Sequence, residues 1–125
     1  MSVLNRDEIL ESGKLKTEVV ELESGSVIVS ELSGNDYMEV CELSRKVDSD
    51  EIDMKKFQPL LICAAIVDES GNRIFSKDDV ELIKGRSKDF YFKILSVANK
   101  LNGLSSSAEK NSDDNQSSEA SIASA

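Results

Sequence analysis

The chain has 125 residues, a hydrophobic content of 39%, a formal net charge of −9 and no histidine. These values fit one soluble domain with a modest core, and the negative charge disfavours nucleic acid and anionic membrane surfaces as partners. The lack of histidine excludes a His-dependent catalytic triad and a His metal ligand.

The longest apolar run, residues 60–67, is too short to span a bilayer. The first residues lack the basic start and apolar centre of a signal peptide, so we expect the protein to stay in the cytoplasm.

Near the N-terminus, Asn5 and Glu8 have the spacing of a capping box, which predicts a short helix that runs to about Glu11. Residues 16–32 are rich in β-branched side chains around Ser24-Gly25 and predict a β-hairpin. With those two residues as its loop, the register pairs Leu22 with Val27, Val20 with Val29 and Glu18 with Glu31. The apolar face of a lone hairpin needs helices or another subunit to cover it.

Four further helices are predicted, at about residues 34–46, 53–67, 77–84 and 87–101. Pro59 either kinks the second of them or lies in its first turn, because proline has no backbone N–H to donate. The last helix carries an apolar stripe. The fold class is therefore α+β, mostly α, with an N-terminal hairpin followed by a small helical domain.

The composition changes after residue 104. Residues 105–125 contain eight serines, five charged residues and only one aliphatic side chain larger than alanine, Ile122. Such a segment cannot bury enough apolar surface to offset the entropy lost on ordering, so it predicts a disordered, acidic, Ser-rich tail after a single domain at residues 1–104.

The sequence offers no catalytic, cofactor-binding or metal-binding motif. It contains no glycine-rich phosphate loop, and Cys41 and Cys63 are isolated from each other, which favours buried free thiols. The acidic residues fall mainly at helix starts and in loops, where they stay solvated. The basic pairs Arg45-Lys46 and Lys55-Lys56 are interpreted as solvated faces. We therefore predict that the protein is not an enzyme.

Several sequence blocks, taken in their order and spacing over about residues 2–105, resemble the tail assembly chaperones of long-tailed, lambda-like bacteriophages. The blocks are Ser2-Val-Leu-Asn-Arg-Asp-Glu-Ile-Leu, Leu15-Lys-Thr-Glu-Val-Val-Glu-Leu, Gly25-Ser-Val-Ile-Val, Val29-Ser-Glu-Leu-Ser-Gly-Asn-Asp-Tyr, Asp68-Glu-Ser-Gly-Asn-Arg-Ile-Phe and Leu101-Asn-Gly-Leu-Ser.

The resemblance implies a non-enzymatic assembly factor that needs no cofactor. Such a protein binds the long helical tape measure protein in the host cytoplasm, keeps it soluble until tail tube subunits polymerise around it, and is absent from the finished virion. Repeated copies of the chain, as a homo-oligomer, would coat the tape measure helix.

The family also implies a longer, frameshifted product that recruits the tail tube protein. Glu109-Lys110-Asn111 can be encoded as GAA-AAA-AAC, which contains a heptamer suited to a −1 shift. We therefore expect a frameshift region at Glu109, Lys110 and Asn111.

Two questions stay open at the level of the sequence. An acidic adaptor or inhibitor that mimics nucleic acid is the alternative to a chaperone, because it would use the same negative charge. The candidate surface for partner binding or self-association consists of apolar residues of the hairpin and the last helix, each of which also fits ordinary core burial. They are Val20, Leu22, Val27, Val29, Phe90, Ile94, Val97 and Leu101.

Overall fold

The structure is a computed structural model that describes residues 2–104. It confirms the predicted class, an N-terminal antiparallel hairpin followed by helices. In chain order the elements are α1 (Arg6–Ser12), β1 (Thr17–Leu22), β2 (Gly25–Ser30), α2 (Gly34–Leu43), α3 (Met54–Ala65), β3 (Ile66–Val67), a 3-10 turn (Lys77–Asp79), α4 (Val80–Lys84) and α5 (Lys88–Leu101). The predicted tail and frameshift region lie outside the described residues.

The hairpin forms, but its predicted register is wrong by two residues. Val20 pairs with Val27, Glu18 pairs with Val29, and the two-residue loop is Glu23-Ser24. Neither Glu23 nor Ser24 of the observed loop has a positive φ; the positive φ, which an L-residue resists, falls on the residue after the loop. That residue is Gly25, which begins β2 with φ 153°. Because the shift is an even number of residues, each side chain stays on its predicted face.

The sheet has a third strand that the sequence did not predict. The helix expected over 53–67 ends at Ala65, and Ile66 and Val67 form β3, which pairs antiparallel with β2 through Val29 and Ile28 respectively. Apolar residues 60–67 can continue a buried helix or form a buried strand equally well, so their pattern does not locate the transition. Pro59 lies inside α3, beyond its first turn.

The hydrophobic core lies between the inner face of the sheet and α5, with α3 at its centre. Leu61, Ile62 and Ala65 of α3 are fully buried, as are Val29 of β2 and Ile94 of α5. Two lysine side chains of α5 also contact β1 of the sheet. Lys93 Nζ donates to the Glu21 carbonyl at 2.8 Å, and Lys100 Nζ lies 2.7 Å from a Glu18 carboxylate oxygen.

Helix ends agree with the predicted capping residues more closely than with the predicted lengths. The Asn5–Glu8 capping box is present, and a second one joins Ser76 and Asp79 at the 3-10 turn. The helix expected over 34–46 ends earlier, at Leu43, because Ser44 caps it and Arg45 pairs with Ile52 in an isolated β-bridge. Val47 is exposed in the loop that follows.

Candidate functional site

A groove crosses the helical side of the molecule between α3, the 3-10 turn, α4 and α5. It consists of two adjoining cavities of about 380 and 440 Å³, which share Lys55 of α3 and Lys84 of α4 in their walls. The apolar part of the lining comes from five side chains of four elements. They are Leu43, Leu60, Val80, Tyr91 and Phe92.

The amphipathic pattern of α5 places an aromatic side chain in this groove. Ile94, Leu95 and Ala98 are buried on the face that packs into the core. Phe92 points away from that face and is 56% exposed. Its ring meets the ring of Tyr91 edge-on, with 5.0 Å between centroids. An exposed phenylalanine beside a half-buried tyrosine gives the groove an apolar surface that no residue of the described chain covers.

The turn between α4 and α5 concentrates positive charge at the edge of the groove. Gly85 ends α4 and Ser87 caps α5, and the three cations Lys84, Arg86 and Lys88 alternate with them. Lys55 and Lys56, predicted to be solvated, are exposed near the start of α3. With Lys77, the lining holds six of the chain's fifteen Lys and Arg residues but only two of its twenty-four Asp and Glu residues, Asp78 and Glu81.

Few of these cations are neutralised within the described part of the chain. Lys84 pairs with Glu81 at 3.4 Å, and Lys88 pairs with Asp89 at 3.3 Å. Exposed pairs of this kind contribute little, so both lysines remain available to another anion. Within residues 2–104, Lys55, Lys56, Lys77 and Arg86 have no carboxylate oxygen within 4 Å.

The titratable groups behind the groove favour their neutral forms. Burial raises the pKa of Tyr91, with a further contribution from Cys63. Burial, followed by the charge of Asp79, raises the pKa of Cys63 to about 11, against a smaller opposing effect of Arg73. A thiol with that pKa is protonated at neutral pH and is a poor nucleophile. The groove therefore offers apolar contact and positive charge for binding.

The structure places the eight predicted contact residues together, on the sheet and on α5, which pack against each other. Val20, Val29 and Ile94 are buried, and the other five are partly buried against the same core. This position accounts for their apolar character through core packing. Their contact with a partner stays a prediction.

The N-terminal arm, defined as residues 2–16, is a second surface that the sequence analysis did not single out. Each of its residues is exposed, and α1 contains no buried residue. Its apolar side chains project without cover from the rest of the described chain. They are Val3, Leu4, Ile9, Leu10 and Leu15. The sequence already contained a signal for this surface. Its seven-residue helix has a capping box and two adjacent aliphatic residues, but it is too short to form a core of its own.

Two other kinds of site are absent from residues 2–104. These residues contain no cluster of three or more Cys, Asp or Glu side chains arranged to hold a metal ion. Their helices include none with the length and apolar character needed to cross a membrane.

Similarity to known proteins was found among solved structures. The chain is similar to the "Structure of bacteriophage HK97 tail assembly chaperone", with 21% identity over 70% of this chain and 84% of that chain, and a TM-score of 0.48. No family model matches the sequence, and no curated protein matches it.

Proposed function

We propose that this chain is a tail assembly chaperone of a long-tailed bacteriophage and that it holds helical segments of the tape measure protein in the groove. The observation that carries the proposal is the aromatic and aliphatic lining of that groove. Phe92 and Leu43 of this lining are exposed, and Tyr91, Leu60 and Val80 are partly buried. The sequence blocks that resemble this family span the folded domain and supply the class of partner.

The proposed chaperone would act by covering the apolar surface of the tape measure helix. A long tape measure helix exposes apolar stripes along its length and would aggregate alone. A groove between helices can accept the apolar face of such a helix, which is a common mode of peptide recognition. The excess of acidic residues elsewhere on the chain keeps the complex soluble. Binding and release suffice for this function, which is why the proposal assigns no enzymatic activity.

The proposal includes self-association, so that repeated copies coat one tape measure helix. The N-terminal arm supports this part, because Ile9 and Leu10 of α1 present aliphatic side chains that the described chain leaves exposed. The apolar residues of the hairpin and α5 that were predicted as contacts would take part only where they are partly exposed, as at Leu22 and Val27.

The proposal also includes a longer product that recruits tail tube subunits. It would arise by a −1 frameshift at Glu109, Lys110 and Asn111. The nucleotide sequence tests this directly, because codons that do not form a slippery heptamer would refute it. The chaperone would act in the host cytoplasm and leave the tail before the virion is complete.

Recovery of partners from infected cells tests the proposed function. The tagged chain is purified from cells that produce the whole phage tail, and its partners are identified by peptide and intact mass spectrometry. We expect a very long helical tail protein together with a minor, extended form of the bait. Enrichment of an unrelated basic host protein in place of the tail protein would contradict the chaperone and favour the acidic inhibitor.

A further inference from the structure

We propose that the groove selects amphipathic helices whose apolar face is flanked by acidic side chains. The inference rests on the proposed function in that it names the chemistry of the client segment. It departs from what the net charge of −9 alone would predict, which is a preference for basic partners.

The balance between acidic and basic residues reverses at the groove. Acidic residues outnumber basic ones in the whole chain by twenty-four to fifteen. In the lining of the groove the order is reversed, with six cations and two carboxylates. At about 0.15 M salt the screening length is roughly 8 Å, so a helix in the groove interacts mainly with the charges of the lining itself.

A helix bound in the groove would cover cations as well as apolar side chains. Lys55 and Arg86 line the same cavity as Phe92 and have no carboxylate partner within residues 2–104. A purely apolar helix placed on Phe92 would remove water from these two cations without replacing it, which is costly. A helix with carboxylates beside its apolar face would supply the missing partners.

The cations and the aromatic side chains line the same cavity but come from different elements. Lys55 comes from α3, whereas Lys84 and Lys88 come from α4 and the start of α5, and Tyr91 and Phe92 of α5 line the same cavity. Carboxylates three or four residues apart on one helix lie on the same side of it. A client segment that carries Asp or Glu at that spacing next to its apolar stripe therefore presents several carboxylates to these cations from one side.

Three designed peptides of about 18 residues, or five helical turns, test the inference. They share one apolar face, and their flanking positions carry glutamate, glutamine or lysine. Binding of each labelled peptide to the full chain is measured by fluorescence anisotropy at 0.15 M salt. We expect the glutamate peptide to bind roughly tenfold more tightly than the glutamine peptide, and the lysine peptide to bind most weakly.

Two charge-reversal variants locate the effect. Lys84→Glu with Lys88→Glu should remove or reverse the preference for the glutamate peptide. Arg45→Glu with Lys46→Glu changes the net charge equally at exposed positions outside the groove and the N-terminal arm, and should keep the preference. Circular dichroism confirms that both variants fold.

Equal binding of the three peptides, preference for lysine, or no binding at all would overturn the inference. Loss of the preference in the control variant would also overturn it, because a long-range effect would then explain the result. These outcomes leave the proposed function to its own test, since recovery of the tape measure protein from infected cells does not depend on which charges flank its apolar face.

Discussion

Cys63 is a core residue that interacts electrostatically with Tyr91, a residue of the groove. It lies on α3 with 1% of its surface exposed, and its raised pKa of about 11 reflects burial first and the nearby Asp79 carboxylate second. Tyr91, which lines the groove, has a raised pKa for the same leading reason and is influenced by Cys63. The pKa values of these two residues therefore depend on the packing of α3 against α5.

The first prediction is that stability falls in mildly alkaline solution. In the unfolded chain the Cys63 thiol ionises near its ordinary pKa of 9.0, whereas in the folded chain it holds its proton to about 11. Between these values the folded state binds more protons, so the free energy of unfolding decreases as pH rises, by up to about 1.4 kcal/mol per pH unit. Below pH 9 this contribution is constant.

Urea unfolding at pH 8, 9 and 10 under reducing conditions measures this dependence. Cys63→Ala should remove most of the decrease between pH 9 and 10, and Cys41→Ala should keep it. An unchanged decrease in Cys63→Ala would show that another group is responsible.

A second prediction concerns Asn102, whose side chain joins distant parts of the chain. Its amide oxygen accepts from the Leu32 backbone N–H at 2.9 Å, and its amide nitrogen donates to the Ala98 carbonyl at 2.8 Å. Asn102→Ala would leave the N–H of buried Leu32 without this partner, so we expect a loss of about 1–3 kcal/mol in the free energy of unfolding. Asn99→Ala, one turn earlier on α5, is the matched control, and an equal loss there would contradict the assignment.

At the scale of elements, α1 is separate from the structure that supports the fold. It buries no side chain, whereas Leu95 of α5 is 5% exposed and packs in the core. The third prediction follows: deletion of residues 2–13 changes the free energy of unfolding by less than about 0.5 kcal/mol, and Leu95→Ala lowers it by about 2–5 kcal/mol. Chemical denaturation of both variants tests this, and a large loss on deletion would show that the arm packs on the domain in solution.

The sequence predicted elements where local chemistry decides the structure. Asn5 with Glu8 forms the expected capping box, because a cap needs only residues three positions apart. Strand β3 depends on pairing with a distant segment, and the hairpin register depends on where the positive φ of Gly25 falls, which is after the loop and not within it. Periodicity does not contain that information, so both were missed.

At the scale of the whole molecule, charge is segregated. Acidic residues outnumber basic ones in the chain by twenty-four to fifteen, and the groove collects cations from residues 55–56, 77 and 84–88. The sequence could not predict this groove, because its cations come from three separate segments and each looks like an ordinary solvated residue. Only the packing of α3, α4 and α5 brings them beside Phe92.

The central claim is that the groove keeps a helical tail protein soluble, and co-expression tests it most directly. An apolar helical fragment of the tape measure protein is produced with the full chain, and its soluble fraction is measured after centrifugation. Phe92→Asp with Lys84→Glu alters the groove at exposed positions, and Arg45→Glu with Lys46→Glu is the control. The account predicts a soluble fragment with the unaltered chain and with the control, and aggregation with the groove variant. Equal solubility with the groove variant, or aggregation with the unaltered chain, would contradict it.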